Sequence, residues 1–177
     1  MQHKVKVTVI DKKLYPELQE QYCADPKSGA CPMYEVGDEF IFERYGDRDD
    51  FWKMGSGRQC SEAWDAISRY IYVGLQGGSI MHGWMNDDRV MICCCSDGTR
   101  PVIFKIERMD YKALYMEGTW CGQNREAIRE ALMKLNGVTE VVFRDLYAEV
   151  MLDREIADEE LKTAAESCGE YKVTRIE

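Results

Sequence analysis

Histidine is almost missing from this chain: 177 residues contain two, His3 and His82. That leaves little material for imidazole-based metal sites. It allows one thiol–imidazole pair, through His82, because His3 lies in the terminal segment. Basic charge is also short. Lys and Arg number 23 against 32 Asp and Glu, giving a net charge of −9 with no basic run, which excludes general binding to a phosphate backbone and leaves no nucleic-acid partner to expect. No stretch of about 18 apolar residues occurs, so nothing here is expected to span a bilayer. The opening MQHKVKVTVIDKKLYP interrupts its apolar run with charge and lacks a small-residue cleavage pattern, unlike a signal peptide, so the expected compartment is the cytoplasm. Gly-x-Gly-x-x-Gly, a phosphate loop, Gly-x-Ser-x-Gly and His-Glu-x-x-His are all absent. Their absence argues against nucleotide-dependent and ordinary hydrolase chemistry.

What the chain does have is cysteine, eight in all, in a composition of 45% apolar and 31% charged residues that suits a globular fold. In a reducing cytoplasm such thiols more often bind metals or do redox work than staple a fold. The pattern divides the chain near Met109–Asp110, with net charge −3 for residues 1–109 and −6 for 110–177. The fold class expected is α+β, a compact N-terminal α+β domain over 1–109 followed by a ferredoxin-like βαββαβ domain over 110–177.

In the first domain, Val5–Ile10 and Glu39–Glu43 read as strands, the second following the turn Val36-Gly37-Asp38. Ser61–Leu75 reads as a helix burying Trp64, Ile67, Ile71 and Leu75, ended by Gln76-Gly77-Gly78. Arg89–Cys94 and Val102–Glu107 read as strands joined through Ser96-Asp97-Gly98. In the second domain the strands are Tyr111–Met116, Val138–Phe143, Leu146–Leu152 and Tyr171–Ile176, and the helices Asn124–Leu135 and Ala157–Cys168. Strand–helix–strand repeated twice gives a four-stranded antiparallel sheet with both helices on one face.

Four cysteines stand beside turns or a helix start: Cys23, Cys31, Cys60 and Cys95. Loops and caps let several sulfurs converge, and four thiolates satisfy either zinc or an iron–sulfur cluster. No Cys-x-x-Cys pair occurs, and seven residues separate Cys23 from Cys31, so the spacing matches no common finger or ferredoxin pattern. Redox pairing and inert buried thiols stay open beside metal binding. Cys60 precedes Ser61, read as the helix N-cap, where the helix dipole should lower the thiol pKa. Strand alternation should turn at least one of Cys93 and Cys94 into the core.

Gly118-Thr-Trp-Cys121-Gly-Gln-Asn124, a helix running into Leu135-Asn-Gly-Val-Thr-Glu-Val, and Glu166-Ser-Cys168-Gly-Glu-Tyr171 resemble a heavy-metal-associated domain, the module of copper chaperones. The resemblance covers 110–177 and implies the ferredoxin-like fold. The family binds soft metals through Gly-Met-x-Cys-x-x-Cys. Here Thr119 replaces the methionine and Asn124 the second cysteine, so Cys121 alone matches a ligand. Because the loop holding Cys121 and the end of the second helix share one edge of this plan, Cys121 and Cys168 form a second candidate site, against simple packing of Cys168.

Gly37-Asp-Glu-Phe40, Cys60 with Ala63-Trp64, Gly77-Gly78 and Cys95-Ser-Asp-Gly-Thr-Arg-Pro-Val-Ile-Phe-Lys-Ile-Glu-Arg108 resemble a small four-cysteine family of anaerobic bacteria and archaea. That resemblance spans residues 4–108. The family often has proline where Ser61 stands. It implies that Cys23, Cys31, Cys60 and Cys95 act as one set.

Three readings of function follow. The first is a metal- or iron–sulfur-binding protein with a redox or electron-transfer role, its C-terminal module serving for docking to a redox partner protein or for homo-oligomerisation. The second is a thiol-dependent or redox enzyme acting on a small molecule through Cys60, beside a pocket of Trp64, His82 and Arg100. The third is a structural-zinc adaptor. Arg100 suits a carboxylate ligand but is expected to pair with a nearby acid in its turn. Asp47-Arg-Asp-Asp50 is expected to be a solvated loop, and Phe51–Met54 and Met81–Met85 could line a pocket or an oligomer interface.

Overall fold

The computed structural model describes residues 1–44, 60–117, 122–169 and 171–177. Among them are four helices and a seven-stranded antiparallel sheet, in the order β1 (Gln2–Lys12), α1 (Pro16–Tyr22), β2 (Glu39–Glu43), α2 (Ser61–Leu75), β3 (Val90–Cys94), β4 (Val102–Glu117), α3 (Gly122–Met133), β5 (Val138–Phe143), β6 (Tyr147–Leu152), α4 (Asp158–Glu166) and β7 (Lys172–Ile176). Among the described residues no helix is long and apolar enough to cross a membrane. The chain divides into two compact units, His3–Arg108 and Met109–Glu177 with Met1–Gln2.

In the first unit β1 buries Val5, Val7 and Val9, every second residue, as the pleat requires. It pairs antiparallel with β2 from Lys4↔Glu43 to Thr8↔Glu39, and β3 pairs with the start of β4 from Val90↔Glu107 to Cys94↔Ile103. Helix α2 presents Ala63, Ile67, Ile71 and Gly74, one helical stripe, and the first three pack with Phe40, Phe42, Phe104 and Ile106. Trp64 and Leu75, expected on the buried side, are only partly buried. A side chain at Gly74 would place its Cβ 2.6 Å from Val5 Cγ2, so the close approach of α2 to β1 depends on glycine. The helix stops as expected at Leu75, with Gly77 in the left-handed region at φ 75°.

Two local expectations change. The strands read as Val102–Glu107 and Tyr111–Met116 are one sixteen-residue strand, β4. The sequence pattern changes from irregular to regular near Met109–Asp110, where the expected division falls. Yet Arg108 donates to the carbonyls of Gly77 and Gly78 at 2.8 and 2.7 Å, and Asp110 is buried within the strand. Helix α1 is an addition to the expected elements. Its only buried residue is the polar Gln19, so it carries no apolar stripe to read.

In the second unit the strand order is β7-β4-β6-β5, all antiparallel. Ile128 and Leu132 of α3 and Leu161 and Ala165 of α4 pack with Leu114, Val141, Ala148, Val150 and Val173. Each fully buried Leu or Ile in this set stabilises the unit by roughly 1.5–3 kcal/mol. The turn between β5 and β6 is tight, with Arg144 N–H donating to Tyr147 O at 2.8 Å.

Candidate functional site

The first unit gathers several chemistry-bearing residues at one end of its core. Helix α1 ends at Cys23, whose N–H caps the Gln19 carbonyl at 3.0 Å. The Gln19 side chain is buried and works as a two-pronged latch. Its amide donates to Gly29 O at 3.0 Å and accepts from Gly29 N–H at 3.1 Å. It also lies 3.5 Å from Thr99 Oγ1. The loop carrying Cys31 is thereby tied both to α1 and to the turn after Cys95.

That turn is built on Asp97. Its carboxylate accepts from Thr99 N–H at 2.9 Å, Thr99 Oγ1 at 2.9 Å and Arg100 N–H at 3.2 Å. Arg100 Nε closes on the same carboxylate at 3.0 Å. Arg100 is therefore held by an acid in its own turn, the blander of the two sequence readings. Cys95 is 8% exposed, and its Sγ accepts the Val102 N–H at 3.4 Å.

Cys60 is the N-cap of α2, one residue earlier than expected, and its Sγ lies 3.7 Å from Glu62 Oε2. The expected lowering of its pKa does not occur. Burial pushes the Cys60 thiol up and the Glu62 carboxylate adds to this, against the N–H groups of Ala63 and Glu62. An unassisted nucleophile is thus poorly prepared. His82 gives no help to a thiol: its ring is 85% exposed and bonds Asp88 Oδ2 at 2.6 Å, a carboxylate that raises its pKa.

Among these residues stands Tyr34, which belongs to none of the sequence motifs. It is 1% exposed, with its ring edge-on to Phe40 and Phe104 at centroid distances of 6.0 and 5.5 Å. Its hydroxyl is buried and has no hydrogen-bond partner among the described residues. Burial pushes the phenol well above its usual range, and the nearby Cys60, Cys31 and Cys95 sulfurs push it further. The Cys60 N–H acts the other way, although the contact falls short of a hydrogen bond. Cys31 and Cys60 pack on the same core that contains Tyr34 and Cys95.

Cys31, Cys60 and Cys95 thus share the core of Tyr34, and Cys23 sits at the cap of α1. Among the described residues no three His, Cys, Asp or Glu side chains are arranged to hold one metal ion as they stand. Of the other thiols, Cys93 faces the core, and burial, then Cys94, pushes it up to about 12. Cys94 is exposed. Cys168 donates to Ala127 O at 3.3 Å and packs between α3 and α4. Cys121, Asp47–Asp50 and Phe51–Met54 lie outside the described residues. Met81 and Met85 pack on the first core while Trp84 is exposed.

Tyr34 could be found from sequence only by its closeness to Cys31, and Gln19 gives no signal at all. No protein-family model, curated protein or solved structure matches the chain, so neither resemblance finds support there.

Proposed function

We propose that the first unit is a thiolate centre for a soft metal, zinc or an iron–sulfur cluster, with Cys31, Cys60 and Cys95 as ligands and Cys23 as the fourth. The observation that carries this reading is the partnerless, buried hydroxyl of Tyr34 among three thiols, with partners counted among the described residues. A buried polar group left unpaired costs about 1–3 kcal/mol. A core that retains one beside three sulfurs suits a site with a polar occupant better than an apolar interior. The donor chemistry fits. The Val102 N–H already points at Cys95 Sγ, and Cys60 stands at the N-cap of α2, where main-chain N–H groups are free of helix partners. Such donors offset negative charge on ligating sulfur. Closure to bonding distance falls to the Cys31 loop and to the N-cap of α2. A cluster would supply electron transfer, whereas zinc would supply folding energy alone.

The strand order β7-β4-β6-β5 with two helices supports reading the second unit as a ferredoxin-like module. In this proposal it is the docking module for a redox partner, in a reducing cytoplasm. Metal and acid-labile sulfide analysis of anaerobically purified protein tests the reading. Iron with sulfide, or one zinc, supports it, provided that Cys60→Ser and Cys95→Ser lose the metal and Cys94→Ser keeps it. A folded protein with no metal, or metal retained by all three variants, overturns it.

A further inference from the structure

The second unit ends laterally at β5, which has one strand neighbour among the described residues, β6. Between β5 and the flank of α3 runs an open groove of about 660 Å³, lined by Arg125, Glu126, Arg129 and Met133 above and by Thr139–Phe143 below. Its charges are ordered along its length. Both guanidinium groups lie over the Phe143 ring, at 5.8 Å for Arg125 and 5.5 Å for Arg129. Thr139 and Glu140 are exposed at the other end. Glu126 sits at the basic end, 3.2 Å from Arg129.

We infer that this edge is a homodimer interface, in which β5 pairs antiparallel with β5 of a second copy about a two-fold axis near Val141. A two-fold axis reverses the groove end for end. The arginine end of one copy then meets the Glu140 end of the other, and the same contact forms twice. A free anion fits less well, because Arg125 and Arg129 share the groove with Glu126 and Glu140. The run Val141-Val142-Phe143 has neither charge nor proline to discourage strand pairing. The inference is independent of the proposed metal centre.

Sedimentation equilibrium of the full chain under reducing conditions tests it, over micromolar to submillimolar concentration. The wild-type chain is expected to dimerise, more weakly as salt rises. Arg129→Glu and Glu140→Arg should each weaken the dimer on the order of tenfold or more, because like charges then face each other twice. An equimolar mixture of the two variants should associate again, since both contacts become opposite in sign. Circular dichroism and urea midpoints establish that each variant is folded. A monomeric wild-type chain overturns the inference, as do variants that dimerise like the wild type or a mixture that associates no better than its components. In the monomeric case the groove is left to another occupant, an acidic segment of a different protein.

Discussion

Tyr34 in the first unit and the pair Lys112 and Glu149 in the second meet burial in opposite ways. In the second, Lys112 is buried yet reaches Ile156 O and Asp158 Oδ1, each at 2.6 Å. Glu149 is buried and accepts from Arg144 at 2.8 Å and Tyr147 Oη at 3.4 Å. These groups are matched within the chain, so their role is to fix the fold. In the first unit Tyr34 carries a buried hydroxyl without a partner among the described residues, in the core that Cys95 joins and on which Cys31 and Cys60 pack. A satisfied interior explains itself, while an unsatisfied one asks what else belongs there.

Removing packing from each unit in turn should cost the most stability. Phe104 and Leu132 are fully buried, one in each core. Phe104→Ala should cost about 3–5 kcal/mol and Leu132→Ala about 2–5 kcal/mol. Urea unfolding followed by circular dichroism measures both. If the first core were loosely packed around its thiols, Phe104→Ala would cost less than Leu132→Ala, and the unpaired Tyr34 hydroxyl would mark loose packing rather than a site.

The Gln19 latch is the next largest effect. Gln19→Ala strips the Gly29 N–H and C=O of their partners, with an expected cost of about 1–3 kcal/mol for each group left buried. The variant should also lose metal if the loop bearing Cys31 serves as proposed. Retained metal with lowered stability would limit Gln19 to a structural part.

Much of the second unit is legible in the sequence because its apolar periods are regular. Ile128 and Leu132 recur at helical spacing, and Asn136-Gly137 closes the turn two residues beyond the helix, with Gly137 at φ 113°. The first unit hides more. Gln19 is a polar residue at the only buried position of α1, and the continuity of β4 depends on partners of Arg108 that lie 30 and 31 residues earlier. Position beside turns singles out Cys23, Cys31, Cys60 and Cys95 in the sequence, with metal binding, redox pairing and inert packing all left open. The same reasoning fails for the acidity of Cys60. A helix dipole is visible in sequence, whereas the burial and the Glu62 carboxylate that outweigh it are not. Tyr34 is illegible because its meaning lies in a hydrogen bond that no described residue makes.

Tyr34→Phe sharpens that point with a smaller effect. In protein stripped of metal by a chelator, deleting the orphan hydroxyl should raise stability by about 1 kcal/mol, because an unmet polar group leaves the core. In metal-loaded protein the gain should shrink or reverse, if the hydroxyl serves the centre. Equal gains in both forms would detach Tyr34 from the proposed site and make it an ordinary packing flaw.

The smallest expected effect concerns an ion pair at the surface of the first unit. The Arg89 guanidinium lies 2.8 Å from Asp87 and, with the Arg89 main-chain N–H at 2.8 Å, holds the Asp87 carboxyl down to about 2 against its ordinary 3.8. The folded-state pKa is depressed, so the stabilisation is complete above the unfolded value of 3.8 and disappears as pH falls through about 2. Asp87 is partly exposed, and solvent screening keeps the contribution well below that of a buried pair. Asp87→Asn should therefore lower the urea midpoint slightly at neutral pH, with the difference from wild type closing as pH falls from 3.8 towards 2. A difference that persists unchanged at pH 2 would mean that the substituted amide perturbs the turn itself, and that the Asp87 charge plays no part in holding the start of β3.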